Sequence, residues 1–506
     1  MRLGAAVRAA LSSLILICAL SAGGCASLGA TSAASPAADS RRTLAAILDD
    51  PGLAGTRWGM MAMTLDGQVL VDIRADDRFS PASNTKIFTT AAAFALLQDL
   101  GDADPMDGTS VRLEARGEGR APDAVLMGAG DPALGDGPDC VTDCLAALAD
   151  ATAARTTRVG DVVGDDRLYP DERRGPGWAW EDMQEGFGTA VSALTVNDNI
   201  VVLQVSPVQT AGAPVQVAWR AGDDLLPLVN TAVTVAVGET DLRVERRPGE
   251  DVVRLYGQMP TGSDAVALRV GLDDPALTAA LRFRRLLEAR GVTVEGTVRA
   301  RHRPLELSDD PARGDSLPPV DQPDGVEVAR LARPPLLASL NRTARFSQNL
   351  HAELLLRRLG RLDGTGARTE GLAQVEAVMA TAGLERAAFD LYDGSGLSAY
   401  NRVSPRATTT FLVWTSRQPW GEGWRATLPV AGQAGTLLRR FAGTPLEGRV
   451  FAKTGSLNGV NALAGFLIAA SGRTVAFSIY ANDRPSTADP ALDTMDRALL
   501  TLAAAH

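Results

Sequence analysis

Two ends of similar texture, separated by a long and different middle, limit the fold of this chain more than any other feature. Near the start, the apolar runs WGMMAMTL and QVLVD within Arg57 to Asp72 flank Asp66-Gly67, a favoured tight-turn pair, so a β-hairpin is predicted. A helical stretch runs from Asn84 to about Leu100. Near the other end, Arg449 to Ala452 reads as a strand. Ala462 to Ala469 and Arg473 to Tyr480 read as a hairpin around Ser471-Gly472. Ala491 to Ala504, behind Asp489-Pro490, reads as a closing helix.

The middle is different. Val-rich alternating runs recur at intervals of about ten residues between 200 and 272 (IVVLQVSP, PVQVAWRA, TAVTVAVG, VVRLYGQM, AVALRVGL), the pattern of a small all-β unit. Residues 110–170 mix strand-like runs with a helix starting near Cys140, and Asp274-Pro275 opens an amphipathic helix that ends before Gly291. The polar, Pro-rich stretch 303–324 marks a further boundary.

Composition matters for what it excludes. The chain has 506 residues and a formal charge of −10. Of its 50 basic residues 48 are arginine, and only Lys86 and Lys453 are lysine. An acidic chain with dispersed arginines has no basic face for nucleic acid. Its three histidines, His302, His351 and His506, leave little room for a His-based zinc site or a Ser-His-Asp triad. Base chemistry therefore falls to carboxylates or to the two lysines.

The N-terminus reads as an export signal over residues 1–24. Arg2 and Arg8 precede the short apolar run LSSLILICAL, and small residues lead to Cys25. Small residues directly before a cysteine resemble a lipobox, which makes Cys25 the expected lipid-carrying first residue of a periplasmic or cell-envelope lipoprotein. Cleavage after Cys25 by an ordinary signal peptidase is the alternative. Residues 25–42 are Ala/Ser-rich and suit a flexible tether. Cys140 and Cys144 remain as a pair, either a small disulfide loop or two free buried thiols.

Each lysine sits in a suggestive context. Lys86 lies three residues after Ser83 at a helix start, so both side chains share one face and the amine can reach the hydroxyl. A serine needs an adjacent base to become a nucleophile at neutral pH. Lysine can serve if its pKa falls, whereas arginine never releases its proton. Lys453-Thr454-Gly455-Ser456 offers an amine and two hydroxyls to a carboxylate, and Gly455 would let a substrate backbone approach the strand. Ser347-Gln348-Asn349 precedes another helix, Leu350 to Gly360.

Ser-x-x-Lys, Ser-x-Asn and Lys-Thr-Gly, in that order, form the signature set of serine penicillin-recognising enzymes. The chain resembles the class C low-molecular-mass penicillin-binding proteins, the D-alanyl-D-alanine carboxypeptidase/endopeptidase family, across about residues 43–504. Gly128-Ala129-Gly130-Asp131-Pro132, Val191-Ser192-Ala193-Leu194, Asp393-Gly394-Ser395-Gly396-Leu397 and Gly435-Thr436-Leu437 resemble further family landmarks. Ser347 follows Ser83 by 264 positions, too many for a loop. This separation resembles the inserted domains that the class carries between its first two motifs.

The resemblance implies an α+β penicillin-binding domain (serine β-lactamase/DD-peptidase-like), an antiparallel sheet with helices on both faces interrupted by β-rich inserts. The expected division is a catalytic domain of 43–105 and 325–506, an inserted domain of 106–205 and 292–324, and a nested β-rich unit of 206–291. It implies a Ser83 acyl-enzyme formed from a D-Ala-D-Ala peptide, with Lys86 taking the serine proton. Ser347 relays a proton to the leaving amine, and Asn349 positions Lys86 and the substrate. Lys453, Thr454 and Ser456 hold the terminal carboxylate, and the Ser83 and Ser456 N–H groups form an oxyanion hole. Peptidoglycan peptides are the expected substrates and β-lactams the expected covalent inhibitors, with no cofactor or metal and membrane contact only through the N-terminal lipid. A β-lactamase or esterase on the same core, or a silent cell-wall scaffold, are the alternatives. His351 reads as structural, the Asp393–Gly396 segment as a border of the cleft or a plain turn, and the arginine clusters around Arg301-His302-Arg303 and Arg357-Arg358 as solvated surface or contacts to acidic wall polymers.

Overall fold

The structure, a computed structural model, describes residues 36–97, 100–102, 107–137, 140, 143–247, 249–313, 324–487 and 491–506. The expected signal peptide, Cys25 and most of the tether lie outside the described residues. The longer helices of the catalytic domain are α1 (Pro36–Leu48), α2 (Thr85–Leu96), α3 (Leu336–Arg345), α4 (Asn349–Gly360), α5 (Arg368–Thr381), α6 (Pro405–Thr415) and α7 (Leu492–Ala505). The last residues of the expected tether are thus helical. Leu44 and Leu48, one turn apart, seat that helix in the core.

Both ends of the chain build one antiparallel sheet from β1 (Arg57–Thr64), β2 (Val69–Ile73), β3 (Val450–Leu457), β4 (Val460–Ile468) and β5 (Thr474–Asn482), in the order β3-β4-β5-β1-β2. Alternation along β5 sends Val475, Phe477, Ile479 and Ala481 to one face and Ala476 and Tyr480 to the other. The first face is covered by α1 and by Met495, Leu499 and Leu502 of α7. The second is covered by α2, α4, α5 and α6 through Phe88, Leu356, Val375 and Phe411. Each such side chain, fully buried, contributes about 1.5–3 kcal/mol. The catalytic domain thus has the expected α+β class, an antiparallel sheet with helices on both faces.

The first inserted domain is not β-rich. Its main sheet has five strands in the order Val298–Arg303, Val162–Pro170, Asp123–Met127, Ser110–Glu114, Val326–Arg330. The first three pair in parallel, which requires crossovers, and helices Leu145–Arg155 and Pro275–Glu288 supply them. Leu148, Ala276, Phe283 and Leu287 pack these helices on the sheet. The seams therefore differ from the expected 291/292 and 324/325. The amphipathic helix belongs to the first insert, because its apolar face packs against that sheet. Val326–Arg330 belongs there too, because it pairs with Ser110–Glu114. The nested unit is all-β, as the five Val-rich runs predict, and shares a core of Leu203, Val205, Leu255 and Met259.

The two arginine clusters are tied inward rather than solvated. Arg357 is 2% exposed, pairs with the Glu172 carboxylate and donates to the Glu172 carbonyl at 2.7 Å. A buried charge needs such a partner, and this one joins α4 to the insert. Arg301 forks onto Glu114 at 2.8 and 2.5 Å. His302 lies between Asp166 (2.8 Å) and Asp274 (3.1 Å), and these two hydrogen bonds push its pKa up to about 10. Gly128 also acts in packing, since a Cβ there would lie 2.5 Å from the Ala193 backbone. Cys140 and Cys144 are joined in a disulfide just before the helix at Leu145.

Candidate active site

The three signature segments come from different elements and meet at the edge of the catalytic sheet. Ser83 lies on a 3₁₀ turn, Ala82–Asn84, that leads into α2. Ala82 has φ +46°, a conformation L-residues avoid, so the turn depends on its surroundings to persist. Asn482 supplies part of that support, accepting from Ser80 N–H at 2.7 Å and donating to its carbonyl at 3.2 Å. Asn84, with its amide oriented to satisfy both atoms, donates to the Lys453 carbonyl at 2.8 Å and accepts from Ala464 N–H at 3.3 Å. The first nine residues of α2 are buried on every side, while Ser83 stays partly open to the cleft.

Lys86 is 1% exposed and its Nζ donates to Ser83 Oγ at 2.8 Å, Asn349 Oδ1 at 2.6 Å and the Ser395 carbonyl at 2.5 Å. Burial lowers its pKa to about 7, against the opposing pull of Asp393 and Glu353. Lys453 Nζ donates to Ser347 Oγ at 2.8 Å and to the Thr454 carbonyl at 2.8 Å. Its pKa is also held well below the usual lysine range, by burial first and then by Lys86. Desolvation, more than mutual repulsion, thus favours the neutral amines. A carboxylate arriving beside Lys453 would favour its ammonium form again.

Ser347 itself has φ +62°, and Asn349 opens α4 while donating to the Phe187 carbonyl of the insert at 2.9 Å. Lys453 lies within β3, which runs on past the expected end at Ala452. That strand is the edge of the sheet, and segment 429–431 covers its outer side only as far as Ala452. Beyond that point the edge borders the cleft, with Ser456 exposed and Thr454 bonded to Thr436 at 2.7 Å. Gly455 admits the protein's own turn rather than a substrate, since a Cβ would lie 2.7 Å from the Pro81 carbonyl. The resulting cleft has a volume of about 580 Å³ and is lined by Ser83, Ser347, Asn349 and Ser456, with Gly396 and Asp182 on its walls.

The third support of Lys86 comes from the Asp393–Leu397 landmark, whose residues by themselves do not show that a backbone carbonyl meets the amine. Ser395 belongs to a loop that looks like an ordinary turn, yet its carbonyl accepts from the buried amine. The buried Asp393 carboxylate gathers N–H groups of Gly396 (2.9 Å) and Ser398 (2.6 Å) and the Trp178 indole of the insert (2.9 Å). Glu353 accepts from Gly394 and Ser395 at 3.0 and 2.8 Å, and burial, then Asp393, raises its pKa to about 7. The signal available in the sequence is two glycines around a serine. Gly396 is the informative one, with φ +83° and a would-be Cβ 1.9 Å from the Ala82 carbonyl. Gly396→Ala is expected to displace the Ser83 turn and slow penicillin acylation about 10²-fold, as misplacements near 1 Å do, read by stopped-flow labelling.

His351 is 1% exposed and bridges Ser339 of α3 (3.0 Å) and Asp198 of the insert (3.1 Å), away from Ser83. Its role is structural.

A serine held by a buried lysine, faced by Ser-x-Asn and an edge-strand Lys-Thr-Gly in an α/β/α layered domain, defines a serine acyl-transfer enzyme of the penicillin-binding class. The profile of the D-Ala-D-Ala carboxypeptidase 3 (S13) family matches residues 40–505, and the chain belongs to that family. It is a serine-type D-Ala-D-Ala carboxypeptidase. It is 34% identical to the D-alanyl-D-alanine carboxypeptidase of Actinomadura sp. (strain R39) over 90% of this chain and 84% of that one. Penicillin-binding protein 4 from Haemophilus influenzae has the same fold, with a TM-score of 0.74 at 23% identity, covering 90% of this chain and 97% of that one. The same protein complexed with a β-lactam gives a TM-score of 0.70 at 21% identity over 91% and 98%.

Proposed function

We propose that Ser83 is the nucleophile that cleaves the terminal D-Ala-D-Ala bond of peptidoglycan stem peptides, with Lys86 as its base. The observation that carries this reading is the 2.8 Å contact of a desolvated Lys86 amine with Ser83 Oγ. The amine takes the serine proton as Oγ bonds to the substrate carbonyl carbon. The N–H groups of Ser83 and Ser456 receive the developing oxyanion. Ser347, coupled to Lys453, passes a proton to the leaving amine as the C–N bond breaks. Lys453, Thr454 and Ser456 hold the leaving carboxylate, and Asn349 orients Lys86 and the substrate amide. Water then releases the acyl group from Ser83.

Glu181 and Asp182, supplied to the cleft by the insert, suit the side-chain amine of a stem peptide. β-Lactams, which mimic the dipeptide, acylate Ser83 and leave slowly in this reading. Purified protein is expected to release D-Ala from a pentapeptide substrate. Rapid turnover of a chromogenic cephalosporin with an intact D-Ala-D-Ala peptide would favour a β-lactamase instead.

The reading extends to location. A charged start, the apolar run from Leu11 to Leu20 and small residues before Cys25 support export to the cell envelope and a lipid anchor on Cys25. Mass spectrometry of the mature N-terminus is expected to find diacylglyceryl-Cys25, and an unmodified or differently cut terminus overturns that part.

A further inference from the structure

In the step assigned to it, Lys86 becomes an ammonium ion inside the protein. Its side chain is buried, and its amine touches neutral groups: Ser83 Oγ, Asn349 Oδ1 and the Ser395 carbonyl. A buried cation is costly unless a negative charge lies close by. That charge has to stand behind the neutral contacts.

Two acids stand there. Asp393 is committed to the loop it shapes, since its oxygens take the Gly396 and Ser398 N–H groups, the Trp178 indole and the Asn401 amide. Glu353 is the less encumbered. It follows Asn349 by one turn of α4, is 1% exposed, and accepts from the Gly394 and Ser395 N–H groups at 3.0 and 2.8 Å. Ser395 thus donates its N–H to Glu353 while its carbonyl accepts from Lys86 Nζ. A single residue of backbone links the carboxyl to the amine. Arg357, on the next turn of α4, is tied to Glu172.

The charges around the two groups act in one sense. Asp393, then Glu353, oppose the lowering of the Lys86 pKa by burial. Burial, then Asp393, raises the Glu353 pKa to about 7, and Arg357 pulls it down. Lys453, on β3, feels the charge of Lys86 in turn. A carboxyl that titrates near neutrality, one residue from the base, can set the charge that the base feels.

We propose that Glu353 is a positioning residue for acylation: its carboxylate fixes the Ser395 carbonyl on Lys86 and is the counter-charge of the ammonium ion formed there. This rests on the reading of Lys86 as the base and adds the group that tunes it. Glu353 exchanges no proton in the step. The Ser83 proton passes to Lys86 Nζ as Oγ bonds to the carbonyl carbon, and the negative charge nearby lowers the cost of that transfer. Removal of the charge makes Lys86 a weaker base. The acid limb of acylation then moves to lower pH, and the plateau above it falls. A loss of packing alone would lower the rate equally at every pH.

The test is the pH profile of penicillin acylation for wild type and Glu353→Gln, with thermal unfolding as the check on folding. Glutamine keeps an oxygen for the Gly394 and Ser395 N–H groups and loses the charge. The acid limb is expected about one pH unit below that of the wild type. The plateau is expected about threefold to tenfold lower. An unchanged profile, or a uniform loss at every pH, would overturn the assignment. Lys86→Ala supplies a second arm, which carries the test should the glutamine variant not fold. Without the ammonium ion, the infrared band of the buried carboxyl that titrates at about 7 in the wild type is expected to titrate at least about half a pH unit higher. An unmoved midpoint would overturn the assignment too. A wild type without an acid limb at about 7 would remove the reading of Lys86 as the base, and the Glu353 assignment with it.

Discussion

Ser83→Ala is expected to take up no fluorescent penicillin and to release D-Ala at a rate lower by on the order of 10⁵-fold or more, the scale seen when a covalent nucleophile is removed. The variant should fold normally. Ser83 is only partly buried, and the turn that carries it is held by Asn482, Asn84 and Gly396 rather than by the hydroxyl. Loss of Oγ leaves Lys86 its contacts with Asn349 and the Ser395 carbonyl. Unchanged thermal unfolding with no labelling would therefore separate chemistry from stability. Equal labelling of wild type and variant would show that another residue is the nucleophile.

The second large effect concerns Lys86. Lys86→Arg is expected to lower the acylation rate about 10³-fold, because a guanidinium keeps its positive charge but cannot accept the serine proton. The pH dependence of the wild type tests the same assignment. The working form is the neutral amine. Burial, opposed by Asp393 and Glu353, places its pKa at about 7. Acylation should thus fall roughly tenfold per pH unit below that value and level off above it. An acid limb centred at about 10, where an ordinary lysine titrates, would show that Lys86 is not the desolvated base. A Lys86→Arg variant with full acylation rate would exclude it altogether.

Much of the catalytic domain is legible in the sequence because its signals are local. Asp66-Gly67 and Ser471-Gly472 mark hairpin turns, and the near-continuous apolar run Val475–Ala481 fits a strand buried on both faces. The Val-rich runs mark the nested β unit for the same reason. The first insert is harder to read. Parallel pairing of Val162–Pro170 with strands on either side leaves no turn signal, only long crossovers. Arg357 reads as surface because nothing local distinguishes a solvated arginine from one that meets Glu172 across a domain boundary.

The sequence alone determined which groups could do the chemistry. With 48 arginines, two lysines and three histidines, only Lys86 and Lys453 could act as amine bases, and each falls inside a signature motif. Tertiary structure decided the rest, because pKa and reach depend on what surrounds a group rather than on its neighbours in sequence. It buried both amines, set Lys86 against Asn349 from 263 positions away and added the Ser395 carbonyl from a loop 309 positions away. It also brought the Glu353 carboxyl onto the N–H of that same Ser395. Spacing along the chain can put a serine and a lysine on one helix face. Only the packing of distant segments can remove water from between them.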